Sequence, residues 1–256
     1  MIKIKTQEEL QKMREAGNLT ARVLDLMREN IKPGISTLEL DTIAENFIRS
    51  NNAVPAFKNY RPSFRMRPFP GSICASINEE IVHGIPEKNR FLNEGDIISI
   101  DVGVFLNGFC GDAACTYPVG KISPERQKLL DVTKKSLELA ILAAKNNQTL
   151  GDIGFAVQSY AQDNNCGVVR DYTGHGIGSK MHEAPQVPNF GSPHSGLTLK
   201  SGMTIAIEPM LTSGDFNVKI SPNGWTVLTV DGSDAAHFEK TIAICDDYSE
   251  VLTQWH

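Results

Sequence analysis

Residues 97–117, IISIDVGVFLNGFCGDAACTY, place two apolar runs on either side of Asn107-Gly108, a pair that favours a two-residue hairpin turn. Such a turn sets Leu106 opposite Phe109, Val104 opposite Gly111 and Gly103 opposite Asp112. Asp101 then projects from the same face as Gly103, diagonal to Asp112. Ile97, Ile98, Ile100, Val102, Val104 and Phe105 predict a first strand buried on both sides. Helices are announced by their start signals. Thr6 with Glu9 forms a capping box that opens a helix with Met13, Leu19, Val23, Leu24 and Met27 as its apolar stripe, broken at Lys32-Pro33-Gly34. Ser36 with Glu39 opens a second helix running to about Arg49. Ser123-Pro124 is an N-cap and first-turn pair for a long helix ending near Asn146, and Thr149 with Asp152 starts another to about Asp163. Residues 72–77, 203–208, 225–230 and 239–244 read as short strands.

The order helix, helix, strands then occurs twice. Aligning Thr37-Leu38 with Thr149-Leu150, an offset of 112, also superposes Ala44 on Ala156 and Asn52 on Asn164. A duplicated α+β fold follows, with two related halves whose sheets meet at a central site. No long linker separates the halves, so residues 1–256 are expected to form one catalytic domain. The 256 residues are 41% hydrophobic and 21% charged, as in an ordinary globular chain. A net charge of −5 argues against a general nucleic-acid binder. Five cysteines without a C-x-x-C pair suit reduced thiols in a cytosol. The opening MIKIKTQEEL lacks a signal-peptide core and no apolar run is long enough to span a bilayer, so a cytoplasmic location is expected.

Candidate chemistry begins at the hairpin. Ionised aspartates in an apolar setting are costly without a cation, and no Lys or Arg lies between residues 91 and 120. A metal accounts for the pair; two solvated aspartates on an edge hairpin remain the alternative. Gly174-His175-Gly176-Ile177-Gly178 strips bulk from around a histidine, which allows close approach to its ring, although read alone such a histidine is more often a turn residue than a ligand. Glu208 sits in an apolar strand ended by Pro209. Glu239 lies beside Lys240, which offers a plain salt bridge. Asp101, Asp112, His175, Glu208 and Glu239 together are too rich in oxygen for structural zinc. They suit two divalent cations sharing bridging carboxylates, a centre that lowers the pKa of water and polarises a carbonyl or phosphoryl oxygen.

Several motifs then converge. Ile77-Asn78-Glu79 with His83-Gly84-Ile85-Pro86, Asp101-Val102-Gly103, Gly111-Asp112, Gly174 to Gly178, His182-Glu183, Ile207-Glu208-Pro209-Met210 and Phe238-Glu239 resemble the type I methionine aminopeptidases of peptidase family M24. The resemblance covers nearly the whole chain and implies their pita-bread fold, two pseudo-symmetric halves around a dimetal site. It assigns Asp112 and Glu239 as bridging ligands, Asp101 to one metal, His175 and Glu208 to the other. Glu208 would also be the general base, while His83 and His182 would contact the scissile amide and steady the tetrahedral intermediate. Cys74 and Trp225 match positions of the pocket for the methionine side chain. The implied reaction removes the initiator methionine from nascent chains whose second residue is small, with cobalt, manganese, iron or zinc as the metal. Monomer is the default expectation.

Departures fall in the pocket. Phe57 stands where the family often has cysteine, and Met181 replaces the phenylalanine that usually precedes the second histidine. Residues 58–68 form a basic-aromatic insertion with Lys58, Arg61, Arg65 and Arg67. It fits a rim over the pocket, or a transient contact with ribosomal RNA. Cys74, beside bound substrate, is a candidate for regulation by thiol oxidation. Two rival readings are an X-Pro hydrolase of the same fold, which has an additional N-terminal domain, and a pita-bread binding module that has lost catalysis, which loses ligands.

Overall fold

The computed structural model describes residues 2–64 and 66–255; Arg65 of the insertion lies outside them. The first half runs α1 (Gln7–Asn30), α2 (Thr37–Ser50), β1 (Val54–Pro55), β2 (Cys74–Ile77), β3 (Glu80–Val82), β4 (Ile97–Leu106) and β5 (Phe109–Pro118). The second half opens with α3 (Pro124–Ala143) and α4 (Leu150–Asp163), then β6 (Gly167–Val168), β7 (Gly174–Gly176) and β8 (Glu183–Val187). It closes with β9 (Thr204–Ile207), β10 (Met210–Thr212), β11 (Val218–Ile220), β12 (Val227–Thr229), β13 (Ala235–His237), β14 (Lys240–Ile244) and β15 (Ser249–Val251).

The capping boxes at Thr6/Glu9, Ser36/Glu39 and Thr149/Asp152 are all formed, each satisfying donors at a helix start that have no partner within the helix. The five stripe residues of α1 are buried. α3 stops at Ala143, three residues before the expected end, because Ala144 leaves helical geometry and Asn147 takes a left-handed φ of 69°. The hairpin turn has φ 52° at Asn107 and 83° at Gly108, both positive as a primed turn requires. Its register is the expected one: Leu106 opposite Phe109, Gly103 opposite Asp112, and Asp101 opposite Ala114. Phe105 departs from expectation. It is half-buried, beside the turn that closes the hairpin.

The repeat is real but its offset is 113, not 112. The N-caps Ser36 and Thr149, the C-caps Asn51 and Asn164, and the left-handed Asn52 and Asn165 superpose at that spacing. Hydrogen bonds repeat too: Ala53 N to Ile48 O and Cys166 N to Ala161 O, each 113 residues apart in the chain. Similar side chains suggested a register one residue away from the one that the cap geometry obeys.

β1, β4 and β2 pair in one sheet with β5 on β4, while β15-β14-β9-β7-β8 form a second. The two meet edge to edge. Glu239 N donates to Ala114 O at 2.9 Å, Ala114 N returns the bond to Glu239 O at 3.4 Å, and Thr116 and His237 are bonded farther along the same line. One apolar cluster runs through both halves, from Val23 and Leu40 to Ile205 and Ile242.

Candidate active site

The seam between the sheets explains why distant acids converge. Asp101 faces Ala114 on β5, and across the seam Ala114 faces Glu239. The antiparallel register of β9 and β14 ends with Ile207 opposite Lys240, so one step farther Glu208 meets Glu239. A row Asp101, Ala114, Glu239, Glu208 results, with only a methyl group between the first and third members. Asp112 lies two residues before Ala114. His175 on β7 faces Ala206, two residues before Glu208. Alternation along a strand puts each of these pairs on one face, so Asp112 and His175 reach the row diagonally. The glycines flanking His175 have a different purpose from the one expected. Side chains at Gly174 and Gly176 would collide with the Ala206 and Ala184 carbonyl oxygens, so glycine permits the sheet to pack rather than exposing the ring.

His175 Nδ1 lies 2.9 Å from the Gly176 carbonyl oxygen. A carbonyl can only accept, so Nδ1 carries the proton and Nε2 presents its lone pair to the cluster. Nε2 is 3.6 Å from Glu208 Oε1 and 3.8 Å from Asp112 Oδ2. Burial pushes Asp101 up to about 7 and Glu208 up to about 8. Asp112 rises well above the usual carboxylate range, first through burial and then through Asp101 and Glu208, and Glu239 does so through burial and then Asp112, Glu208 and Asp101. Burial and then His182 bring His175 down to about 3.

This set fits a metal. Asp101 Oδ1, Asp112 Oδ1 and Glu239 Oε1 are buried without a hydrogen-bond partner, which is costly for carboxylates. No Lys or Arg is among the described residues lining the cavity. Ligand atoms of Asp112, His175 and Glu239 lie within 4.8 Å of one another. A divalent cation supplies what these oxygens lack, and an oxygen-rich set with one imidazole is chemically suited to it.

All nine residues singled out from the sequence line one cavity of about 360 Å³: the four acids and the His175 imidazole with Cys74, His83, His182 and Trp225. His83 adopts a left-handed φ of 60° and packs edge-on against Trp225, with centroids 6.2 Å apart. Burial, then His237 and His182, lower its pKa to about 4, so the ring is neutral near pH 7. Trp225 meets Phe69 edge-on at 5.3 Å and donates through Nε1 to the Arg67 carbonyl at 3.1 Å. Phe57 and Met181 are buried in the same wall, and the Phe57 ring fills the space where Gly103 has no side chain, 3.0 Å from an ideal Cβ. The segment expected to be an insertion forms a rim: Tyr60, Pro62 and Met66 line the cavity, while Phe64 is 98% exposed. Cys74 is unsuited to redox sensing. Burial, followed by Asp101 and Asp112, raises its thiol well above the ordinary value and so withholds the reactive thiolate.

Two contributors escaped the sequence reading. His237 is 1% exposed, has no hydrogen-bond partner for either ring nitrogen, and lies 3.6 Å from Glu208 Oε2. Its place two residues before Glu239 was the available signal. Tyr60, whose hydroxyl is 2.8 Å from His182 Nδ1, had none beyond its aromatic character.

Comparison with known proteins agrees with this geometry. The profile described as metallopeptidase family M24 matches residues 11–246. A methionine aminopeptidase of Clostridium acetobutylicum is 50% identical over 253 residues, covering 99% of both chains. Methionine aminopeptidase 1 of Bacillus subtilis is 50% identical over 254 residues, covering 99% of this chain and 100% of its own. The crystal structure of methionine aminopeptidase from Rickettsia prowazekii superposes with a TM-score of 0.95 at 44% identity, over 99% of this chain and 100% of that one. With sequence, fold and a carboxylate-rich centre in agreement, this chain belongs to metallopeptidase family M24, in its methionine aminopeptidase branch.

Proposed function

We propose that the protein removes the N-terminal methionine from polypeptides whose second residue is small, using two divalent cations held by Asp101, Asp112, His175, Glu208 and Glu239. The observation that carries this reading is the continuity of the acid cluster with an apolar pocket in a single cavity. Phe57, Phe69, Cys74, Met181 and Trp225 form walls suited to an unbranched thioether side chain, and the scissile amide is then delivered to the acids. Bound cations would lower the pKa of the attacking water and polarise the amide carbonyl. Glu208, ionised once the cations are bound, would take a proton from that water and return it to the leaving amine. Neutral His83 and His182 can donate hydrogen bonds to the amide as negative charge develops on its oxygen. Substrates are nascent N-termini. The exposed tip with Arg61, Phe64 and Arg67 is where a transient ribosomal contact would fall.

The test is free methionine released from Met-Ala-Ser by chelator-stripped protein, with and without Mn²⁺ or Co²⁺, beside Met-Leu and Ala-Pro peptides. Metal-dependent cleavage of Met-Ala-Ser alone, lost in His175→Ala, is expected. Cleavage of Ala-Pro alone would make it an X-Pro hydrolase; failure to retain any metal would make it a binding protein.

A further inference from the structure

His182 is held from both sides of the cavity. On one side, Lys5 Nζ, just ahead of α1, pairs with Glu183 of the second half at 2.8 Å, and Glu183 accepts from Lys180 N at 3.2 Å, which closes the turn that carries His182. From the rim, Asn59 N donates to Phe69 O and Phe69 N to Tyr60 O, both at 2.9 Å, so the base of the insertion is a small closed loop. That loop is anchored to α2 at each end, by Lys58 on Glu45 at 3.2 Å and by Ser72 N on Asp41 at 2.6 Å. The anchored rim brings the Tyr60 hydroxyl to 2.8 Å from His182 Nδ1 with ring centroids 5.4 Å apart.

A phenol oxygen is a weak acceptor because its lone pair is delocalised into the ring, whereas the bare nitrogen of a neutral imidazole is a strong one. The hydroxyl therefore donates. Once Nδ1 accepts, the ring proton must sit on Nε2. The His182 ring meets that of His175 edge-on, with centroids 4.3 Å apart, and both rings line the cavity that holds the acids.

We propose that Tyr60 is a positioning residue that locks His182 in the Nε2–H tautomer, presenting a fixed donor to the oxygen of the amide under attack. This rests on the reading of the site given above. It gives the insertion's first aromatic residue a role beyond lining the pocket: it acts on the reaction through His182.

The test uses zinc-loaded protein, which is diamagnetic, with ¹⁵N-labelled histidine, together with steady-state kinetics of Tyr60→Phe. In the unaltered protein the His182 Nδ1 resonance should be that of an unprotonated imine nitrogen, and Tyr60→Phe should shift it toward the averaged value of exchanging tautomers. Tyr60→Phe keeps the ring, so kcat for Met-Ala-Ser should fall about tenfold, as for the loss of an orienting partner. KM should stay within about twofold, since ground-state binding is unchanged. In a His182→Ala background the same substitution should cost nothing further. A protonated Nδ1 in the unaltered protein overturns the proposal, as does an equal loss in both backgrounds. If the unaltered protein releases no methionine, the proposed reaction fails, and the nitrogen resonances still decide the tautomer.

Discussion

Thr241 Oγ1 donates to the Asp112 carbonyl at 2.7 Å and accepts from the Asp112 amide at 3.2 Å, so one hydroxyl satisfies both backbone groups of a proposed metal ligand across the seam between the sheets. Thr241 is fully buried. Thr241→Val keeps the shape and strands both groups, and should destabilise the protein by about 2–4 kcal/mol in denaturant unfolding. Metal affinity, read by titration calorimetry, should weaken with it, because Asp112 is placed by that bond.

Stability of the metal-free protein should fall with rising pH. Burial raises Asp101 to about 7 and Glu208 to about 8, whereas in the unfolded chain they ionise near about 4. The native state thus retains protons that the unfolded chain has released, and stability is lost as pH climbs through that window. His83 and His175, lowered by burial to about 4 and about 3, act in the opposite sense but only below about pH 6.5. Between about pH 6.5 and about 8 the carboxylates act alone, so the Tm of chelator-stripped protein should drop there. Saturating Mn²⁺ should abolish the drop by favouring the ionised acids. A flat Tm without metal would contradict this electrostatic picture.

Glu208→Gln preserves size and an oxygen ligand but removes the base. In manganese-loaded protein kcat should fall by about 10²–10⁴-fold. Metal content measured on the same sample separates loss of the base from loss of the ion.

Trp225 contributes a wall shared with Phe69 and His83. Trp225→Ala should lower kcat/KM for Met-Ala-Ser by at least about tenfold, through lost aromatic contact area. Most of the change should appear in KM, since the acids are not moved.

The approach of α1 to the hairpin depends on two glycines. A Cβ on Gly111 would stand 2.8 Å from the Gly17 Cα and N. That is backbone against backbone, which cannot give way cheaply. Gly111→Ala should cost about 1–3 kcal/mol by overpacking, measurable as a shift in the denaturation midpoint. It should also disturb the adjacent Asp112.

Local signals were legible in the sequence because each is settled within a few residues. Capping boxes close within one turn, and Asn107-Gly108 dictates a tight turn and with it the register that puts Asp101 diagonal to Asp112. The five acidic and imidazole candidates also stood out, since ionisable groups in apolar strands demand an explanation. Other features depended on contacts between segments far apart in the chain. Glu239 lies opposite Ala114, and Glu208 beside Glu239, only because two sheets from different halves join at one edge. The repeat's offset of 113 was set by backbone caps rather than by side-chain similarity. His237 approaches Glu208, and Tyr60 reaches His182, across separations of 29 and 122 residues. No period or local motif encodes such distances. They follow from how buried faces pack once the elements exist, a choice made by the whole core at once.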